Sequence, residues 1–170
     1  MTLEPVYEER VSSARTEALF VGLALLFLAL FAARASVSGF GYLAAVLFVL
    51  FCFFLFYAIN YRTLVIRISR EALELRFGVF SWAVPRESIA RGYPDDTTIW
   101  RVGGAGIHFT MIRRRYRVFF NFLEHPRVVL ELTKARGFVR DVAFSTRRPD
   151  EVLDAVAVRA RLGGRASPGR

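Results

Sequence analysis

One cysteine, Cys52, stands in 170 residues, so no disulfide can form within the chain. It lies inside an apolar run and reads as a small buried hydrophobe. Two histidines, His108 and His125, together with that cysteine assemble no zinc-ligand spacing, and neither metal nor cofactor is expected. Lysine is almost missing, with Lys134 alone among 24 basic side chains. A GC-rich genome produces that bias as readily as a need for bidentate donors, so it points to no partner. Charge itself is missing from two long stretches, and these set the class of the protein.

Hydrophobic residues make up 54% of the chain and the mean hydropathy is +0.35, both high for a soluble domain of this size. Residues 18–33 read ALFVGLALLFLALFAA and residues 40–58 read FGYLAAVLFVLFCFFLFYA, each without a charge. The second has about the 20 residues that span a hydrocarbon core as helix. The first is shorter, and Thr16, Glu17 and Arg34 are expected to snorkel from its ends. Both are apolar on every helical face, which suits lipid. Ala18/Gly22 and Ala29/Ala33 offer a small-xxx-small spacing between them. Ala33-Arg34-Ala35 resembles a signal-peptidase site, so cleavage competes with retention. Four acids against two arginines in residues 1–17 make a poor signal n-region and favour a retained helix.

Orientation follows from arginine. The link between the runs carries only Arg34, whereas Arg62, Arg67, Arg70 and Arg76 closely follow the second. The positive-inside rule then predicts a multi-pass protein of the cytoplasmic membrane with both termini cytoplasmic. Residues 61–170 hold 21 basic and 11 acidic side chains, a net +10 tethered beside an anionic leaflet.

After Tyr61 the pattern alternates, as half-buried strands do. Seven strands are predicted: 63–69, 73–77, 80–84, 107–112, 117–122, 128–132 and 138–144. Pro149, Asp150 and Glu151 then open a helix, which Gly163-Gly164 stops. The fold class is thus a membrane helical hairpin plus a mainly β domain, a bent sheet or partly open barrel capped by a C-terminal helix. The organisation reads as a segment 1–17, a hairpin 18–58, a domain 61–162 and a disordered tail 163–170.

Tyr61-Arg62-Thr63-Leu64-Val65-Ile66-Arg67-Ile68 directly after a membrane run, then Glu71 to Phe80, resembles the opening of bacterial PH-like, membrane-flanked domains. Pro85-Arg86-Glu87-Ser88-Ile89 resembles their Pro-x-x-x-Ile segment, Trp100 to Ile107 their mid-domain glycine turn, and Phe144 to Glu151 their last strand and helix start. The resemblance covers roughly residues 61–160 and implies a seven-strand PH-like barrel on a membrane hairpin. The longer basic turn and the Phe119–Arg127 region depart from it, so no loop function carries over.

Gly103-Gly104-Ala105-Gly106 precedes a strand, whereas a phosphate-binding glycine loop follows a strand and opens a helix. It reads as a turn that needs positive φ. Arg113, Arg114 and Arg115 are expected at a hairpin tip, with Arg117 continuing into the strand. They form either a solvated turn or a contact for anionic lipid headgroups or an acidic partner facing the bilayer. Neighbouring Phe109, Tyr116, Phe119, Phe120 and Phe122 read as core rather than as stacking platforms, so nucleic acid is not expected. Asp95-Asp96 lies in a loop, and no catalytic constellation is present, so the chain does not read as an enzyme. Three functions remain open: a non-catalytic module binding or assembling an unknown membrane protein or a second copy, lipid recognition through the arginines, and an accessory subunit of a membrane enzyme or transporter.

Overall fold

The computed structural model describes residues 5–112 and 114–163. Helix α1, Ala14–Ser38, begins before the charge-free run because Ser13 caps it, its side chain accepting the amide of Thr16 at 3.1 Å. Its 25 residues reach about 37 Å, beyond the roughly 30 Å of a hydrocarbon core. The expected shortfall in length is therefore absent. After Gly39, helix α2, Tyr42–Asn60, returns antiparallel over about 28 Å. Phe31 packs on Phe48, Phe27 stacks on Phe54 and Phe20 meets Tyr57, with centroids 5.3, 5.3 and 5.4 Å apart. Both helices are long and apolar enough to cross a membrane, and only 11% of each apolar window is buried. A helix in a soluble core would be mostly covered, whereas most of these faces stand open.

The segment before α1 is a strand. β1, Tyr7–Ser12, pairs antiparallel with β2, Thr63–Ile68, from Tyr7↔Ile68 to Ser12↔Thr63. The two outer ends of the helical hairpin therefore open onto the same side. β3, Ala72–Phe77, and β4, Phe80–Pro85, complete a four-stranded sheet in the order β1-β2-β3-β4. A 3-10 turn, Arg86–Ser88, leads to the second sheet: β5, Ile89–Pro94; β6, Gly106–Ile112; β7, Arg115–Asn121; β8, Arg127–Arg136; and β9, Val139–Ser145. Its order is β5-β8-β9-β7-β6, with β7 and β9 parallel.

Nine strands thus stand among the described residues where seven were expected. β1 carries Glu8, Glu9 and Arg10 in six residues, and β5 contains Gly92 and Pro94, so neither reads as a strand by hydrophobic alternation. β1 holds through its contacts. Val11 is fully buried, and Glu9 accepts from Thr146 Oγ1 at 2.5 Å and from the Arg147 amide at 2.9 Å.

Leu64, Ile66, Leu75 and Phe77 from the first sheet meet Phe120, Phe122, Leu130 and Phe144 from the second in one core. The sheets do not close into a barrel. A smaller cluster of Val102, Phe119, Val129 and Ala143 fills the outer face of the second sheet beneath the short helix α3, Ile99–Val102. Helix α4, Pro149–Gly163, buries Val152, and Arg86 donates to the Ala155 and Ser69 carbonyls, tying α4 to the first sheet. The rest of the expected 163–170 tail, beyond Gly163, lies outside the described residues.

Candidate functional site

The strand register separates the described arginines of the β6–β7 hairpin. Arg113 lies outside the described residues. Arg114 is exposed between the strands at φ 63°, a left-handed conformation. Arg115 donates through Nε and Nη2 to Asp141 at 2.9 and 2.8 Å. That hydrogen bond, ahead of all other effects, raises the guanidinium's pKa further.

Arg117 is only 5% exposed. It reaches Asp95 at 3.2 Å, Asp141 at 3.4 Å and the Tyr93 hydroxyl at 3.3 Å. It cannot face a bilayer from there. The parallel register Arg117↔Asp141 on β7 and β9 puts a carboxylate beside it, which no local pattern announces.

The ion pairs continue outward. Arg127 binds Asp95 at 2.9 Å and the Thr97 carbonyl, while Arg91 grips Glu131 at 2.9 and 3.0 Å. Tyr93 donates its hydroxyl to Glu131 at 3.2 Å. Burial first of all pushes the Tyr93 pKa up, and the Arg91 hydrogen bond holds Glu131 below the usual carboxylate range. Asp95 also accepts from the Thr97 amide and hydroxyl, which makes the Asp95-Asp96 loop a bracket for arginines. The network fastens β5, β7, β8 and β9 to one another across their outer face. Pockets open on either side of Arg117, one lined by the Arg91, Arg115, Glu131 and Asp141 groups and the other by Asp96, Thr98 and Arg101 with Tyr93 and Thr97.

The three glycines form a turn. Gly103, Gly104 and Gly106 take φ of 92°, 97° and 107°, and Asn121, fully buried, donates to the Gly104 carbonyl at 2.6 Å. His108 Nε2 donates to the Ala105 carbonyl at 2.6 Å, and His125 Nε2 to the Ser12 carbonyl at 2.8 Å, so both histidines serve the backbone. Gly106 approaches the Tyr61 ring, and Leu123 bonds to Thr16 in α1. This end of the hairpin therefore sits on the helices. The Arg114 turn lies at the other end, roughly 20 Å along the strands.

A different surface stands open on the inner face of the second sheet. Phe109, Met111, Tyr116 and Phe138 are 52, 54, 43 and 58% exposed. Phe138 touches both Phe109 and Tyr116, with centroids 5.7 and 5.3 Å apart. Phe119, Phe120 and Phe122 are core, as expected, but Phe109 and Tyr116 are not. β6 is an edge strand of the second sheet. From the first sheet, Trp82 of β4 lies 6.5 Å from Phe109. Alternation identified the inward positions of β6, but whether an opposing sheet covers them is a tertiary matter. No family model, no curated protein and no solved structure matches the chain.

Proposed function

We propose that the chain is a membrane-anchored, non-catalytic interaction module that holds a partner membrane protein, or a second copy, against its open β6 edge. The exposed cluster of Phe109, Met111, Tyr116 and Phe138 supports this most directly. Large apolar side chains gathered at one edge mark an interaction surface, and the free N–H and C=O groups of an edge strand accept an added strand. A partner of this kind is an extended or helical segment with apolar side chains, such as an enzyme or transporter subunit in the same membrane presents.

A PH-like domain is the fold reading that fits best, because two packed sheets are followed by one C-terminal helix. Arg34 alone between the helices, against the arginines after them, favours a cytoplasmic domain in the cytoplasmic membrane. A non-catalytic role agrees with Asp141 and Glu131, which border a pocket yet hold arginines.

Photocrosslinking in native membranes tests the surface. A benzophenone side chain at position 109 should give a discrete adduct that Phe138→Asp abolishes, while the same probe at Glu151 should give none. Identical adducts from both positions, or an adduct indifferent to Phe138→Asp, would remove the β6 edge as the docking site.

A further inference from the structure

The outer face of the first sheet presents its side chains in rows at increasing distance from the membrane helices. Ser12 and Thr63 form the row beside the helix ends; Arg10, Val65, Arg76 and Ser81 form the next; Glu8, Arg67 and Glu74 lie beyond. In the far row Arg67 pairs with Glu8 at 3.2 Å. The middle row is different. Arg10 has 71% of its side chain exposed and only a long 3.8 Å approach to Glu8. Arg76 is exposed and bonds to the Gly78 carbonyl at 3.4 Å. Glu8 is held more closely by Arg67 than by Arg10, and Glu74 stands in the row beyond. Two arginines thus flank Val65. Over them opens a hollow of about 650 Å³, reaching from Arg10 to Val79, within the size range of small-ligand sites.

Height decides what meets this hollow. The middle row is two residues along the strands from Thr63, so about 7 Å beyond the row beside the helix ends. The polar zone of one leaflet is about as deep, from the roughly 30 Å core and the 40–45 Å total thickness. Beside the hollow, the β3–β4 tip presents Val79 and Phe80, which are 72 and 41% exposed. The Val79 amide donates to Asn60 Oδ1 at 3.2 Å, and the Phe80 ring lies 6.4 Å from that of Phe56, a full turn inside α2. The tip therefore sits at the depth of the last turn of the apolar helix.

We propose that this groove binds the headgroup of an anionic membrane lipid, with Arg10 and Arg76 on its phosphate and Val79 and Phe80 among the acyl chains. The site is separate from the β6–β7 hairpin. It rests on α1 and α2 spanning a bilayer and is independent of the partner surface at β6. Guanidinium groups match phosphate oxygens in fork geometry, and the two-residue offset sets them at headgroup level while the tip stays in hydrocarbon.

Native mass spectrometry of the full chain, released from nanodiscs of mixed phosphatidylglycerol and phosphatidylcholine, provides the test. Failure to enter nanodiscs at all would refute the spanning reading itself, a result distinct from those that follow. The wild type should retain phosphatidylglycerol selectively. Arg10→Gln with Arg76→Gln should weaken that retention about thirtyfold at low salt, whereas the two Lys substitutions should keep most of it. Arg114→Gln should leave it unchanged. Equal retention by the double Gln variant, or loss with Arg114→Gln alone, overturns the proposal. Should the double variant misfold, a nitroxide on Val79→Cys in a Cys52→Ser background reads depth directly. A label below the phosphate plane supports the site, and one freely reached by aqueous quenchers overturns it.

Discussion

Asp141 is the residue on which the second sheet's outer face turns. Its side chain is 1% exposed and serves Arg115 and Arg117 together, from a strand reached only by the parallel pairing of β7 and β9. Taking one partner out of a buried ion pair leaves an uncompensated charge, which costs about 3–5 kcal/mol. Asp141→Ala should therefore cost the domain about that much in denaturant titration, while Arg91→Ala, with its 70% exposed side chain, should cost under about 1 kcal/mol.

Acid separates the Arg91 pair further. Arg91 holds the Glu131 pKa below its ordinary 4.5, so the pair's contribution is present above that value and is lost as pH falls through the folded value. The stability gap between wild type and Arg91→Ala, measured at neutral pH, should shrink once the pH is taken below about 4.5. A gap that stays constant with pH would show that Glu131 is not what Arg91 stabilises.

Among the elements, the β3–β4 turn joins the first sheet to the end of α2. Gly78 sits at φ +58°, and a Cβ there would lie 2.5 Å from the Asn60 carbonyl oxygen. Asn60 is itself held by its Nδ2 donating to the Phe56 carbonyl at 2.9 Å, so the backbone has little room to retreat. Gly78→Ala should cost about 1–3 kcal/mol by strain and clash. Gly41→Ala, with nothing within 4 Å, should stay within about ±0.5 kcal/mol in the same assay. A Gly78→Ala variant as stable as wild type would mean that the helix end and the turn are not coupled as described.

For the molecule as a whole, β1 makes the helical hairpin an insertion within a sheet. A fragment of residues 61–170 loses β1, bares the backbone edge of β2 and uncovers the site of Val11. It should aggregate or melt well below a version in which residues 5–12 are joined to residue 62 by a short linker, as scattering and circular dichroism would report. A fragment that is monomeric and equally stable would show β1 to be dispensable. Because β1 and β2 pair, the segment before α1 and the domain share one side, and cleavage near Ala35 would strip the sheet of its first strand. Alkaline phosphatase fused after Arg170 should be inactive and green fluorescent protein bright; the reverse pattern would place the domain outside.

The two apolar helices, the β character of residues 63–145 and the C-terminal helix were all determined by the sequence, because hydrophobic run length and period are local properties. The glycine turn was legible for the same reason, since positive φ is a property of the residue. Only the tertiary structure recruited β1, whose three charges in six residues hide a strand that persists through Glu9, Val11 and the β2 register. It also divided the arginines, burying Arg117 against Asp95 and Asp141 while leaving Arg10 and Arg76 exposed beside the helix ends. Charge in a sequence is a sum over residues, whereas its availability depends on which carboxylate a distant strand brings within 3–4 Å, where burial strengthens the attraction. In the same way, alternation read Phe109 and Tyr116 as core, and only the assembled sheets show them to be exposed.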